Sequence, residues 1–239
     1  MVPHLLDVEQ IERSPPGAAG TQPTEGSRMR LIDYDERGLT ERDLVDPQEC
    51  GALRNRPSAT WVNVDGLEDR ARIEQLGQAM GLHPLTVEAI LYTAQRPKVE
   101  EYGDYLYLVA KMLDIDRAQG RVRVDQLSLI LGERFLVSVQ EQPGDPFDPV
   151  RNRIRAGAGR IRKSGTDYLP YALLDLTVDR YFEVIDCIGE RIDMYRDLLA
   201  GVQEMYLARV SNRIGTVMKI LAVVSSVFLP LNSITGASA

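Results

Sequence analysis

The sequence predicts an α/β (α+β) fold: an antiparallel or mixed sheet covered by helices, followed by a long stalk helix that runs into a transmembrane segment. Three observations predict it. Between Met29 and Gln140, runs of alternating apolar and polar residues are bounded by turn clusters, as strands require. Within residues 68–91 the apolar period changes from two to nearly four, which puts helices between the strands. From Leu174 onward apolar residues recur at alternating steps of four and three, with no proline between Pro170 and Pro230.

Residues 1–28 form a lead-in. Its stretch SPPGAAGTQPTEGSR (14–28) is rich in Pro, Gly, Ser and Thr and has too few large apolar groups to build a core. The start of the chain has no basic stretch followed by a long apolar one, so it is not read as a secretory signal. A domain over 29–165 follows. MRLIDYD (29–35) and LTERDLV (39–45) read as short strands, and TWVNVDGL (60–67) as a half-buried strand ending in a glycine turn. In 68–80, Ile73, Leu76 and Met80 share one helical face, and Pro84 suits the first turn of a second helix through HPLTVEAIL. YLYLVAKMLDI (105–115), VRVDQLSLIL (122–131) and RFLVSVQEQ (134–142), separated by DRAQG and GE, predict an antiparallel meander. Helices before and after it place helical cover on at least one face of the sheet.

The stalk helix is expected over 166–219. Its seam is Leu174, Val178, Tyr181, Ile185, Ile188, Ile192, Tyr195, Leu199, Val202 and Tyr206. Such a row needs cover, either from the helix's own domain or from copies of the same helix. The continuation, ILAVVSSVFLPLNSITGASA (220–239), carries no charge, and about 20 residues at about 1.5 Å each just cross a bilayer core. It is read as a truncated first transmembrane helix, with a C-terminal core helix as the competing reading. Ser225, Ser226, Asn232, Ser233, Thr235 and Ser238 give it a polar face suited to an aqueous path. Arg209, Arg213 and Lys219 precede it and favour a cytoplasmic location for the domain.

Composition excludes several function classes. A net charge of -7 gives no electrostatic ground for a nucleic-acid partner. The basic cluster Arg151, Arg153, Arg155, Arg160, Arg162 and Lys163 lacks interleaved aromatics and is read as balancing carboxylates of neighbouring subunits. Cys50 and Cys187 stand far apart without metal-ligand spacing, so they are read as reduced, buried thiols. His4 and His83 form no catalytic set; His83, before Pro84, suits a capping role. The chain is therefore not read as an enzyme, and no organic cofactor is expected. Asp175, Asp179, Asp186, Glu190, Asp193 and Asp197 line the seam as an acidic stripe, which would draw cations to a bundle or serve only as a solvated face.

TWVNVDGL, GLHPLTVEAIL (81–91) with QRPKVE (95–100), VDQLSLIL (124–131), GDPFDPVRNRIR (144–155), DYLPYALLD (167–175) and VMKILAVVSSVFLPL (217–231) together resemble the CorA family of magnesium and cobalt channels, in the family's order from about Thr60 onward. The resemblance implies a homopentamer in the inner cell membrane, carrying divalent cations passively. Mg2+ is the ion it implies, with Co2+ and Ni2+ as further candidates, and Mg2+ would also be a regulatory ion. It implies pore-lining roles for Met218, Leu221, Leu229 and Asn232, where plain helix packing competes with a gate role for Leu221 and Leu229. It further implies that Glu88 and Asp175 help sense the metal. The chain departs from the family at Ala89, where an aspartate is usual. It also ends at Ala239, short of the expected Gly-Met-Asn signature, and passes from Glu190-Arg191-Ile192-Asp193 almost directly into the membrane-proximal pattern. The expectation is thus of an incomplete chain with an internal deletion. The alternative class is a cytoplasmic oligomeric scaffold or divalent-cation sensor without transport activity.

Overall fold

Strand order follows from where the turns and the long crossovers fall. The computed structural model describes residues 27–54, 56–116, 121–144 and 146–235. The strands are β1 (Arg28–Tyr34), β2 (Leu39–Asp43), β3 (Ala59–Asp65), β4 (Lys98–Tyr102), β5 (Tyr105–Asp116), β6 (Arg121–Gly132) and β7 (Phe135–Gln140). They form one sheet in the order β2-β1-β3-β7-β6-β5-β4. Tight connections make every sequential neighbour antiparallel, including the expected meander of β5, β6 and β7. The exception is β3 with β7, which run parallel with Val62 opposite Val137. A parallel pair needs a crossover, and everything from residue 66 to residue 134 supplies it.

That crossover corrects the reading of TWVNVDGL as half-buried. Strand β3 lies in the middle of the sheet, and Thr60, Trp61, Val62, Asn63 and Val64 are all buried. Central strands are covered on both faces. The polar positions survive because they find partners: Trp61 Nε1 donates to Ser138 Oγ at 2.8 Å, and Gln140 Nε2 donates to Asn63 Oδ1 at 3.0 Å. An unpaired buried amide would cost about 1–3 kcal/mol.

The helices divide between the faces. A 3-10 turn at Pro47–Glu49 leads into α1 (Cys50–Leu53), followed by α2 (Arg70–Ala79) and α3 (Pro84–Leu91). Asp69 caps α2 by accepting from Arg72 N at 3.1 Å. Ile73 and Leu76 of α2, with Met80 and Ile90, bury against Val62, Val64 and Val137. Gly77 lets α2 approach α3, since a β-carbon there would lie 2.4 Å from Val87 Cγ2. On the other face, Val150 and Ile154 of α4 (Asp148–Ala156) join Leu169, Ala172 and Leu173 of α5 (Tyr168–Thr235) against Trp61, Leu129 and Leu136. Gly157, at φ 61°, closes α4 in the left-handed conformation that glycine adopts without a steric penalty.

The chain divides into two units, residues 1–184 and 185–239. The first holds the sheet, both apolar cores and the start of α5. The second is the remainder of α5, and its side chains are exposed at every position from Arg196 to Val223. Among the described residues no helix is long and apolar enough to cross a membrane. The expected span at 220–239 lies mostly outside that description: α5 continues to Thr235, but beyond Val223 only Ser225 has a described side chain. The lead-in through Gly26 also lies outside the described residues.

Candidate functional site

Helix α5 begins as a core element and continues as an uncovered one. Its first turns bury Leu169, Ala172 and Leu173, and Leu174 packs on the same core. Tyr181 is the next tie, its hydroxyl donating to the Lys111 carbonyl. After that the predicted seam faces outward: Ile185 is 59% exposed, Ile192 60% and Leu199 67%, with Val202 and Tyr206 also exposed. A contiguous apolar face of this kind marks a surface built for a partner.

The face is wider than the seam. Met194, Leu198 and Met205, also exposed, fall one position before Tyr195, Leu199 and Tyr206 and make a second row. At 3.6 residues per turn the two rows together cover an arc of about 140°. A two-stranded coiled coil uses a narrower stripe, whereas a helix touching two neighbours in a ring needs a broader one. The second row was missed in the sequence, where its steps of four and seven, with Gly201 at the position between, hide the period.

Of the four expected pore positions, Met218 and Leu221 are exposed, at 63% and 58%. Leu229 and Asn232 lie on α5 with side chains outside the described residues. On a continuous helix the four positions fall within an arc of about 80°.

Glu88 and Asp175 are not brought together. Glu88 is exposed on α3, over one face of the sheet, and Asp175 is exposed on α5, over the other. Among the described residues no group of three His, Cys, Asp or Glu could hold a metal ion. The acidic stripe along α5 is likewise exposed throughout.

The structure gives four of the six residues of the basic cluster partners of their own. Arg155 makes a paired contact with Glu41 of β2, at 2.8 and 2.7 Å, which holds the Glu41 carboxyl below its usual range. Arg151 is buried, bonded to Asp148 at 2.8 Å and placed over the Trp61 ring. Arg153 donates to the Tyr168 hydroxyl, and Arg162 to the carbonyls of Ile154 and Arg155. Arg151, Arg153, Arg155 and Arg162 thus serve their own domain, which corrects the reading for those four. His83 caps α3, its Nδ1 accepting from Leu85 N at 3.2 Å. Both cysteines are free; Cys50 is buried, which pushes its thiol up to about 12, while Cys187 is only half-buried.

With that geometry in place, comparison with known proteins gives a consistent answer. The profile of the family described as CorA-like Mg2+ transporter protein matches residues 57–194 and 188–237. The cobalt/magnesium transport protein CorA of Thermotoga maritima is 28% identical over 285 residues, covering 89% of this chain and 81% of that one. The putative metal ion transporter YfjQ of Bacillus subtilis is 30% identical over 135 residues, covering 56% of this chain and 40% of that one. Among solved structures, the complete CorA magnesium transporter from Methanocaldococcus jannaschii superposes with a TM-score of 0.54 at 14% identity, over 72% of this chain and 51% of that one. The last similarity shows the fold, and the chain spans about half the length of that solved protein.

Proposed function

The chain belongs to the CorA-like Mg2+ transporter family, whose members are ion transporters, and from that premise we propose that it is a subunit of a homopentameric channel carrying divalent cations, Mg2+ foremost, passively across the cell membrane. The domain over 29–165 stands on the cytoplasmic side in this reading, and the bilayer holds the segment from residue 220. The observation that carries it is the uncovered double row on α5, which leaves a domain whose own cores are complete. Burying such rows between copies removes apolar surface from water at about 25 cal/mol per Å2. Those copies would then run side by side toward residues 220–239, a segment without a charged side chain.

In the assembly, Met218 and Leu221 form apolar rings that close by excluding water, Leu229 continues that wall, and Asn232 offers carbonyl oxygens to a hydrated cation. The acidic stripe raises the local cation concentration along the bundle. Glu88 and Asp175 act in sensing only where neighbouring copies bring them together, because a single chain holds them on opposite sides of its sheet. Mg2+ keeps several waters and asks for few carboxylates, which suits such a shared site.

The alignment to the Thermotoga protein is longer than the 239 residues of this chain, and the two family matches overlap at 188–194 inside one uninterrupted helix. Both support the reading that α5 joins two stretches that are separate in the family, with intervening residues deleted. Light scattering of the purified chain in detergent tests the assembly. A pentamer is expected; a monomer with and without millimolar Mg2+ overturns the channel reading, and a dimer favours the scaffold alternative.

A further inference from the structure

A cavity of about 170 Å3 opens in the first unit between residues 112–114 of β5, Arg123 and Asp125 of β6, Pro143 and Pro146 ahead of α4, and Thr177 and Arg180 of α5. Asp125 of β6 lines it at 9% exposure, and its Oδ1 takes no hydrogen bond among the described residues. Thr177 of α5 lines it too but commits its hydroxyl to the Leu173 carbonyl at 2.8 Å. Asp114 and Arg123, opposite each other in the β5–β6 ladder, stand exposed at the opening, and their side chains make no hydrogen bond or ion pair among the described residues; Arg180 has only a 3.5 Å contact with Glu183. A buried carboxylate without a donor is costly, and one that lines a cavity asks for a cationic N–H group.

A divalent metal fits this lining poorly. Among the described lining residues only Asp125 and the exposed Asp114 carry carboxylates, too few for a metal, and two guanidinium groups at the opening repel a dication. The same pair suits an anion. The volume holds about half a dozen waters at about 30 Å3 each, which limits the guest to roughly amino-acid size. We propose that this cavity binds a small zwitterion, its ammonium group on Asp125 and its carboxylate on Arg123 and Arg180. Bound there, the ligand would tie the start of α5 to the β5–β6 hairpin.

The inference does not depend on the channel reading. It is tested on the full chain in detergent by calorimetry and melting curves with L-alanine, 4-aminobutyrate, propylamine, propionate and Mg2+. At least one of the zwitterions is expected to bind more tightly than propylamine and propionate, with binding lost in Asp125→Asn. Arg123→Ala, at an exposed position, is expected to weaken the zwitterion roughly tenfold, the loss of one charge-assisted contact, and to leave propylamine unchanged. The proposal is overturned by binding of neither zwitterion, by binding that survives Asp125→Asn, or by an Asp125-dependent response to Mg2+ alone.

Discussion

Burial, together with the nearby charges of Glu141 and Asp114, raises the Asp125 carboxyl from 3.8 to about 6, while Arg123 and Lys111 act in the opposite direction. The folded chain therefore holds this proton more tightly than the unfolded one, and stability falls as pH rises from about 4 to about 6. Asp125→Asn removes the penalty: melting curves should show a gain of about 1–2 kcal/mol at pH 7 and almost none near pH 4. An equal effect at both pH values would refute the assignment. A second residue prediction concerns sensing. Millimolar Mg2+ is expected to raise the melting temperature of the native chain, and Glu88→Gln with Asp175→Asn to abolish that rise. A rise that persists in the double variant would place the ion elsewhere. At this scale the sequence was legible where partners are local, as with His83 capping α3 two residues later. It was illegible for Arg155 and Arg151, whose partners Glu41 and Trp61 lie far away in the chain.

Among elements, the meander and helices α2 and α3 follow from period and punctuation, because each is specified within its own residues. Strand β4 and the short α1 escaped, being too brief to show a period. The parallel β3–β7 pair escaped because nothing in either strand records a partner some seventy residues away. Gly77 marks the α2–α3 contact, and Gly77→Ala is expected to cost about 1–3 kcal/mol by overpacking against Val87. Chemical denaturation measures it; a stability equal to the native chain would show that α3 yields freely. Along α5 the seam was legible as a pattern, whereas its second row, interrupted at Gly201, was not. A charge placed on that face, Ile192→Glu, should lower the mass seen by light scattering while far-ultraviolet circular dichroism stays unchanged. Unchanged mass would take Ile192 out of the contact.

For the molecule as a whole, the domain satisfies its sheet on both faces without the exposed part of α5. That pattern was only half visible in advance: the seam announced a need for cover, but not that its first residues, Leu174 and Tyr181, would be held by the domain while those from Ile185 stay exposed. The pore positions were named through a resemblance, and the described structure adds to them only that Met218 and Leu221 are uncovered. The central claim is that copies of α5 cover one another. Disulfide trapping in membranes tests it most directly, using Ile192→Cys in a background with Cys50→Ser and Cys187→Ser. Mild oxidation should give covalent dimers that dissolve on reduction and are absent when the cysteine is moved to the exposed acidic stripe at Glu190. Monomer alone under the same oxidation would contradict the account.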